Sequence, residues 1–384
     1  MRIMPLGASI TNGVGSSTGN GYRAELLRRL TQAGVAVDFV GSQQSGDLPD
    51  RDNEGHSGWR IDQVAAQLDG WLATYRPDVV LVHVGTNDML QNHQAATAPE
   101  RLGALVDRIL ERSPGTTVLT SSLLPLRDAA AGARVDAFNA AVADLMARKA
   151  AQGRAVRHVD LRGAVAVGDL ADGIHPGDAG FARMGALFHA ALGPVLGAGA
   201  PWPLVRSGLE ADDPPTWTDT VAGASGVGGY CCGLTAMESG RRVELAHTGT
   251  GALMYSGDDR SATVSYSYNR VFDVHVPVTA ATVLRYRILP QQAAGASVAI
   301  DLAMTDRSSL RDSGATDQHG VRAHPAAQGA GGHLVTGRWN LVEVPLGVLA
   351  GRTVDEIRIG YDRPGGTGLF RGYVDDIEIL DTAG

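Results

Sequence analysis

Three side chains, two of them close together in the sequence and the third distant from both, have the chemical types that nucleophilic acyl transfer requires. The segment DLADGIHPGD (169–178) places a carboxylate, Asp172, three residues before an imidazole, His175, and MPLGASITNG (4–13) places the hydroxyl of Ser9 after a short apolar run. A serine hydroxyl becomes an effective nucleophile when a histidine accepts its proton, and that histidine needs a carboxylate to orient it. We therefore expect Ser9, His175 and Asp172 to form a catalytic triad.

Two further segments carry groups that could stabilise an anionic intermediate. VGTND (84–88) ends an apolar run and presents the side-chain amide of Asn87, and EGHSGW (54–59) can present a backbone N–H of Gly55 or Gly58. A donor aimed at the oxyanion of a tetrahedral intermediate contributes about 3 kcal/mol. Each segment alone is a weak signal, because serine, asparagine and glycine are also ordinary turn and capping residues. Their joint order along the chain favours a hydrolytic site.

Other polar residues near these segments have simpler interpretations. His83 lies within an apolar run, so we expect a hydrogen-bonded core histidine. His56 has two open interpretations, packing and substrate contact. We expect Asp88 to secure the loop that carries the amide, and Arg23 and Trp59 to pack rather than react.

Short apolar runs alternate with amphipathic segments in the first half of the chain. The runs predict buried strands at 1–7, 37–42, 78–85, 116–125 and 154–161. The amphipathic segments predict helices at 22–34, 61–75, 99–113, 133–153 and 177–196, with Gly34 and Gly153 as helix stops and Asp178 as an N-cap. This alternation predicts a parallel sheet with helices on both faces. Ligands bind at the carboxyl edge of such sheets, where Ser9 and Asn87 would lie.

The second half of the chain has a different pattern. A chain of 384 residues exceeds what one hydrophobic core usually holds. The small and proline residues of GAGAPWP indicate a linker, so we predict domains over 1–197 and 207–384 joined by a linker over 198–206. The second domain is predicted to be an all-β sandwich, with a glycine-rich loop at 325–333. Its predicted strands lie at 243–249, 262–278, 282–290, 297–306, 339–347, 356–362 and 373–380.

The composition argues against several classes of partner. A formal net charge of -8 argues against nucleic acid, which requires a basic face. No apolar run of about 18 residues is evident, so no membrane span is predicted. No signal-peptide hydrophobic region precedes the first strand, so we expect either a cytosolic protein or one whose signal has been removed. The adjacent Cys231 and Cys232 could form a vicinal disulfide or remain as two buried thiols.

The blocks GASITNG, DNEGHSGW, VGTND and DGIHP together resemble the four motifs of the SGNH/GDSL hydrolase superfamily. Within it, residues 1 to about 195 are similar to carbohydrate esterase family 3, which includes acetyl xylan esterases. The resemblance implies a flavodoxin-like three-layer α/β/α fold with Ser9 as nucleophile, His175 as base and Asp172 as its orienter. It also implies an oxyanion hole made of the backbone N–H groups of Ser9 and Gly58 and the Asn87 side chain. The family's Gly-Asp-Ser is Gly-Ala-Ser here, and we expect this to alter local support rather than to abolish activity.

The second half resembles the β-sandwich of some glycoside hydrolase family 92 enzymes and galactose-binding-like (jelly-roll) modules in general. This resemblance implies a carbohydrate-binding or scaffolding role. Its acidic ends, with Glu210 at the start and Asp375 and Asp376 in the last strand, suit a structural Ca²⁺, although they could equally be solvated strand-end acids. Candidate aromatic residues for sugar stacking are Trp217, Tyr255, Tyr266 and Tyr268, which are equally consistent with a core.

These features together predict a secreted serine esterase that removes acetyl groups from a polysaccharide such as xylan, with no cofactor needed for catalysis. One alternative is a lipase, lysophospholipase or small-ester esterase that uses the same triad. The polar segment NGVGSSTGNG that follows Ser9 favours a small acyl pocket over these. A second alternative is a carbohydrate-binding protein whose triad is vestigial.

Overall fold

The computed structural model describes residues 1–197, 200–219 and 227–382, and the chain divides into two compact units, Met1–Leu196 and Gly197–Gly384. The strands of the first unit are β1 Arg2–Gly7, β2 Asp38–Phe39, β3 Gln43–Gln44, β4 Asp52–Gly55, β5 Val79–His83, β6 Thr117–Ser121 and β7 Val156–Val159. Its helices are α1 Ser9–Asn12, α2 Arg23–Gln32, α3 Ile61–Tyr75, α4 Thr86–Leu90, α5 Ala98–Arg112, α6 Ala129–Ala151 and α7 Asp178–Leu196.

Parallel strands form the central sheet of the first unit in the order β2–β1–β5–β6–β7. Numbered along the chain this is the order 2-1-3-4-5 of flavodoxin-like folds. β4 pairs in parallel with the carboxyl end of β1, and β3 pairs antiparallel with β4. β4 therefore lies beside the end of β1, two residues before Ser9 begins α1, and β3 lies on the far side of β4 from β1.

Both faces of this sheet are covered. β5 is buried along its whole length, and alternate residues of a strand point to opposite faces. Val80 and Val82 belong to the core that includes Leu68 of α3, Val106 of α5 and Val142 of α6. The helices α2 and α7 pack against each other, and α7 also contacts β6 and β7 of the sheet. The structure thus confirms the α/β prediction for the first half of the chain.

The predicted strands and helices of the first half are all present, with small differences at their ends. Gly34 and Gly153 adopt left-handed backbone angles (φ 74° and 77°) after α2 and α6, as predicted for helix stops. The prediction for Asp178 was wrong: it is the first residue of α7, and its carboxylate accepts a hydrogen bond from the Ser17 backbone N–H (2.8 Å). β3 and β4 were not predicted, because their polar sequences lack apolar alternation.

Helix α7 is long and apolar enough, by length and composition alone, to cross a membrane. No apolar run of this length was recognised in the sequence, so this helix was not predicted to be a candidate span. Half of its most apolar stretch is buried inside the protein, including Phe181, Met184, Phe188 and Leu192. Core packing accounts for this apolar character, and a helix of this kind is weak evidence for a membrane span.

The second unit consists of two antiparallel sheets. Its strands are β8 Trp202–Ser207, β9 Val227–Cys231, β10 Glu238–Arg242, β11 Ala252–Asp259, β12 Tyr266–Pro277, β13 Thr282–Pro290, β14 Val298–Met304, β15 Asn340–Pro345, β16 Thr353–Asp362 and β17 Gly368–Asp381. One sheet has the order β10–β11–β17–β13–β15 with β8 also paired to β17, and the other has the order β14–β16–β12–β9. Tyr361 of the second sheet stacks on Phe370 of the first, with ring centroids 3.8 Å apart. The jelly-roll and galactose-binding-like assignments stay predictions.

The predicted linker over 198–206 is in part a strand. Residues 198 and 199 lie outside the described part of the chain, whereas β8 pairs with β17 and buries Trp202 and Leu204. The strand was not predicted because Pro203 has no backbone N–H to donate to a neighbouring strand, so the segment was interpreted as a linker. It is tolerated at sheet edges, and β8 pairs with β17 alone.

Two further predictions about the second unit were wrong. Residues 243–249 are not a strand but the connection between β10 and β11. The glycine-rich tract at 325–333 contains a short helix, α8 (Pro325–Gly331). His324 accepts a hydrogen bond from the Ala326 backbone N–H (3.2 Å), and Pro325 occupies a first-turn position where its missing N–H costs nothing.

Cys231 and Cys232 are joined in a vicinal disulfide. Cys231 is half-buried and Cys232 is exposed. The alternative of two buried thiols is therefore not observed.

Candidate active site

Ser9, His175 and Asp172 form a continuous hydrogen-bonded chain. The Oγ of Ser9 lies 2.8 Å from Nε2 of His175, and Nδ1 of the same ring lies 2.6 Å from Oδ2 of Asp172. Asp172 and His175 lie 163 or more positions after Ser9 in the sequence. In the fold, Nε2 of His175 nevertheless faces the serine hydroxyl and Nδ1 faces the carboxylate, which is the arrangement that a serine nucleophile requires. The structure therefore brings the predicted triad together.

Local backbone geometry aims the Ser9 hydroxyl. β1 ends at Gly7, where a Cβ atom would lie 2.2 Å from the His83 carbonyl oxygen, so only glycine allows the approach of β1 and β5 at this point. Ser9 then begins α1, which ends after one turn at Gly13 (φ 101°). The first N–H groups of a helix lack partners within it, so the Ser9 N–H is available as a donor.

Asp172 is held as an ionised acceptor. Its Oδ1 accepts hydrogen bonds from the backbone N–H groups of Ile174 (2.9 Å) and His175 (2.8 Å), while Oδ2 faces the imidazole. Burial acts to raise the pKa of Asp172, but the hydrogen bonds from the His175 side chain and from these two N–H groups lower it to about 2. The carboxylate is therefore charged throughout the pH range in which proteins usually work.

A hydrogen bond connects the segments that carry the two predicted oxyanion donors, Gly58 and Asn87. The Asn87 side-chain amide donates to the backbone carbonyl of Trp59 (2.9 Å), the residue that follows Gly58. Gly58 is exposed and left-handed (φ 84°), and within the described residues its N–H makes no hydrogen bond. The loop is attached to the serine strand, since the His56 N–H donates to the Gly7 carbonyl (3.0 Å).

Asp88 supports the loop that carries Asn87, as predicted. Its Oδ2 accepts from the Ile61 backbone N–H (3.1 Å) at the start of α3, and its Oδ1 pairs with Arg101 of α5 (2.8 Å). Asp88 is fully buried, and burial raises its pKa against the effect of these two partners. The ion pair thus ties three elements together behind the site.

His56 packs against aromatic rings and a carboxylate, as the packing interpretation predicts, and its contact with substrate stays a prediction. Its ring stacks on Trp59 and Trp71, with centroids 4.2 and 5.0 Å away, and its Nε2 lies 2.6 Å from Oε1 of Glu54. Glu54 has no exposed surface and also accepts from the backbone N–H and hydroxyl of Ser42 (2.8 and 2.6 Å). This buried carboxylate fixes the base of the loop that carries Gly58, and sequence reasoning missed it.

Two other predictions about single residues have mixed outcomes. His83 is buried and its Nδ1 lies 2.8 Å from the Ser121 hydroxyl, but no described residue bonds its Nε2. Burial lowers the pKa of His83 to about 4, so the ring is neutral. Arg23 is fully buried and donates to the Ser45 hydroxyl and carbonyl (2.7 and 3.0 Å), which is the packing role expected of it.

Gly15 lies directly against the backbone and Cβ of His175, and we predict that Gly15→Ala lowers kcat/KM about 100-fold. A Cβ atom at this left-handed position (φ 97°) would lie 2.8 Å from Cβ of His175 and 2.6 Å from the Pro176 carbonyl, so the ring must shift, and a shift of about 1 Å has such a cost. Steady-state hydrolysis of an acetate ester measures the effect. Gly34→Ala is the matched control, because Gly34 is also left-handed (φ 74°) but has open space around its Cβ position. Equal rates for Gly15→Ala and the unsubstituted protein would show that the turn does not position His175.

The acids predicted to bind calcium are not gathered, in the part of the chain that the structure describes, into one group that could hold a metal ion. Glu210 accepts from the backbone N–H groups of Thr250 and Gly251 (2.9 and 3.1 Å) and from the Thr250 hydroxyl (2.7 Å). Asp375 and Asp376 are instead bonded to residues 247 and 248. Among the described residues, no group of three or more His, Cys, Asp or Glu side chains is arranged to hold a metal ion. Hydrogen-bond donors of the loop before β11 occupy these oxygens.

The candidate sugar-stacking residues divide between core and surface. Tyr255 and Tyr268 are buried and belong to the core of the second unit. Trp217 is half-buried and lies under the guanidinium of Arg270, 4.0 Å from it, and Tyr266 is half-buried. The structure therefore supplies no flat platform from these residues as a set.

Comparison with known proteins finds similarity in both sequence and structure. Residues 6–183 match the GDSL-like Lipase/Acylhydrolase family. A multidomain esterase of Ruminococcus flavefaciens is 30% identical over 213 residues, which is 48% of this chain and 27% of that protein. The chain thus spans about a quarter of that relative's length.

Two solved structures extend these similarities. A family 3 carbohydrate esterase of Clostridium thermocellum has 36% identity and a TM-score of 0.48, covering 52% of this chain and 98% of that one. A carbohydrate esterase family 3 structure from Talaromyces cellulolyticus has 25% identity and a TM-score of 0.46, covering 52% and 99%.

Proposed function

We propose that the protein is a serine esterase that removes acetyl groups from a polysaccharide such as xylan, and the match of residues 6–183 to the GDSL-like Lipase/Acylhydrolase family supports this proposal. The observation that carries the proposal is the hydrogen-bonded chain from Ser9 through His175 to Asp172. The likeness to a multidomain esterase supports the same reaction class.

The proposed reaction begins with attack of the Ser9 Oγ on the acetyl carbonyl carbon while Nε2 of His175 accepts the hydroxyl proton. Negative charge that develops on the carbonyl oxygen would be stabilised by the N–H groups of Ser9 and Gly58 and by the Asn87 amide. When the tetrahedral intermediate collapses, the bond to the sugar oxygen breaks and His175 returns its proton to that oxygen. Water then attacks the acetyl-serine while His175 accepts its proton, and His175 returns that proton to the Ser9 Oγ as the acyl–Oγ bond breaks and acetic acid leaves, to ionise to acetate in solution. These proposed reaction steps need no metal or other cofactor.

The preference for a short acyl group rests on the loop that follows α1. Residues 13–21 are polar or glycine apart from Val14, and Gly15 contacts His175. A long acyl chain needs an extended apolar groove beside the nucleophile, and this loop offers little apolar surface to build one. A lipase or lysophospholipase is therefore less well supported than an acetyl esterase.

The second unit would hold the enzyme on its polymer, which extends the proposal to the whole chain. An intact polysaccharide lies outside the cell, so we propose that the protein acts there. A carbohydrate-binding protein with a vestigial triad is disfavoured by the complete set of Ser9, Asn87, Asp172 and His175.

The test is a comparison of acyl groups. We predict acetate release from acetylated xylan and, on p-nitrophenyl esters, a kcat/KM that falls at least about 10-fold between the acetyl and octanoyl esters, because each added methylene needs an apolar contact. Ion chromatography of acetate and absorbance of p-nitrophenol measure the two activities. A kcat/KM that rises with chain length would favour lipid substrates. Hydrolysis of p-nitrophenyl acetate without release from the polymer would indicate a small-ester esterase.

A further inference from the structure

The second unit has a pocket of about 400 Å³ on the outer face of its larger sheet. Its floor is formed by Arg285 and Arg287 of β13 and Glu378 of β17, and its walls by Arg206 of β8 and by His247 and Asp376. Pockets of this size commonly hold small ligands, and a few polar groups in them determine which ligand binds.

Most charges in this pocket are compensated by ion pairs between side chains on neighbouring strands. Arg206 pairs with Glu378 (2.5 Å), which also lies 3.8 Å from Arg285, and Arg285 pairs with Glu343 of β15 (2.6 Å). Directly opposed side chains of opposite charge stabilise neighbouring strands. These arginines therefore have a structural role that requires no ligand.

Arg287 is the exception, and strand register explains why. It is paired with Leu341 on β15 and with Asp375 on β17, so one neighbour carries no charge. The register of β13 with β17 shifts between Arg285 and Arg287, and the carboxylate of Asp375 is fully buried and accepts from the N–H groups of His247 (2.7 Å), Thr248 (3.1 Å) and Asp376 (2.7 Å). Within the described residues, no ion pair engages the half-buried Arg287.

The other carboxylate near Arg287 is also occupied. Asp376 faces Nδ1 of His247 (2.6 Å) and accepts from the Thr248 hydroxyl. The pocket thus has one guanidinium without a counter-charge, surrounded by groups that already have partners. The ring of Trp339 lies at the edge of His247, with centroids 5.7 Å apart, and provides an aromatic surface next to the pocket.

We propose that this pocket binds the carboxylate of a uronic acid residue in the polysaccharide, with Arg287 as its counter-ion. The planar guanidinium fork matches a carboxylate with two parallel charge-assisted hydrogen bonds, and a neutral sugar has no negative charge to strengthen such bonds. The charged and polar side chains that line the pocket suit a polyhydroxylated ligand rather than a lipid. The second unit would then direct the enzyme to acidic regions of the polymer.

The experiment measures binding in a full-length Ser9→Ala background, so that its outcome does not depend on esterase activity. Isothermal titration compares glucuronic-acid-bearing xylan with the same xylan after its carboxyl groups have been reduced to alcohols. We expect at least about 10-fold tighter binding of the carboxylated polymer, the size typical of a hydrogen bond to a charged group, and we expect salt to weaken it. Arg287→Gln is expected to remove the difference.

Arg322→Gln is the matched control, because Arg322 is exposed in the same unit and makes no ion pair among the described residues. It is expected to bind both polymers as the parent does. Thermal unfolding verifies that each variant is folded. Equal affinity for the two polymers, or a preference that survives Arg287→Gln, would overturn the proposal. A sulfated polysaccharide that binds more tightly through Arg287 would overturn the uronate assignment.

Discussion

Replacing Ser9 with alanine is expected to lower kcat for acetyl ester hydrolysis by a factor on the order of 10⁵ to 10⁶. The substitution removes the oxygen that lies 2.8 Å from Nε2 of His175 and leaves no other nucleophile in the hydrogen-bonded chain. Residual turnover over the uncatalysed reaction would come from the oxyanion donors and substrate binding, since these act without the serine. Initial rates on p-nitrophenyl acetate and acetate release from acetylated xylan measure the loss.

A matched serine variant separates this chemical effect from general damage. Ser113 follows α5, and no described residue bonds its hydroxyl, so Ser113→Ala is expected to retain activity within about twofold. Thermal unfolding of both variants should give melting temperatures close to that of the parent. Turnover that persists in Ser9→Ala would mean that the site lies elsewhere on the molecule.

The elements of the candidate site that sequence reasoning located share one physical origin. Ser9 and Asn87 follow strands of a parallel sheet, and the carboxyl ends of such strands meet at one edge whatever the rest of the fold does. The DGIHP segment adds an acid and a base that are local to each other. Their approach to Ser9 follows once the sheet and α7 are in place.

Other parts of the site depend on tertiary pairing that the sequence does not display. Glu54 is a polar residue in a four-residue strand with no apolar alternation, and its partners Ser42 and His56 approach it only because β4 pairs with β1. Gly15 looks like any loop glycine until the His175 loop is placed against it. Neither role follows from local propensity.

The second unit shows a similar limit for strands and metal sites. Glu210, Asp375 and Asp376 suggested calcium because acids at the two ends of a sandwich often meet. The register shift in β17 turns Asp375 inward, and backbone N–H groups of the loop before β11 occupy its oxygens. A one-residue shift of register changes which face a side chain points to, and sequence alone does not specify where such a shift occurs.

Asp172→Asn is expected to reduce kcat about 10⁴-fold while leaving the protein folded. The asparagine Oδ1 can still accept the N–H groups of Ile174 and His175, so the loop keeps its shape. Its amide nitrogen, however, would face Nδ1 of His175 as a donor, which stabilises the tautomer that carries its proton on Nε2. That tautomer cannot accept the Ser9 proton, so the base is lost although every heavy atom remains near its place.

The pH dependence of this variant gives a second test of the same argument. Because hydrogen bonds lower the pKa of Asp172 to about 2, its carboxylate contributes its stabilising interaction at all pH values above the ordinary range for aspartate and loses it only as pH falls toward 2. Protonation of Asp172 therefore does not contribute to any loss of activity between pH 5 and pH 8, and a large deficit of Asp172→Asn should remain at both ends of that range. A deficit that disappears as the pH falls from 8 to 5 would instead mean that Asp172 titrates there.

Asp169→Asn distinguishes the orienting role of Asp172 from the mere loss of a negative charge near the imidazole. Asp169 lies in the same loop and pairs with Arg183 (3.4 Å) rather than with His175, so its substitution changes the net charge equally. We expect Asp169→Asn to retain kcat within about twofold, because exposed ion pairs contribute little. If both variants lost activity to the same extent, the field of the loop rather than the tautomer of His175 would determine the rate.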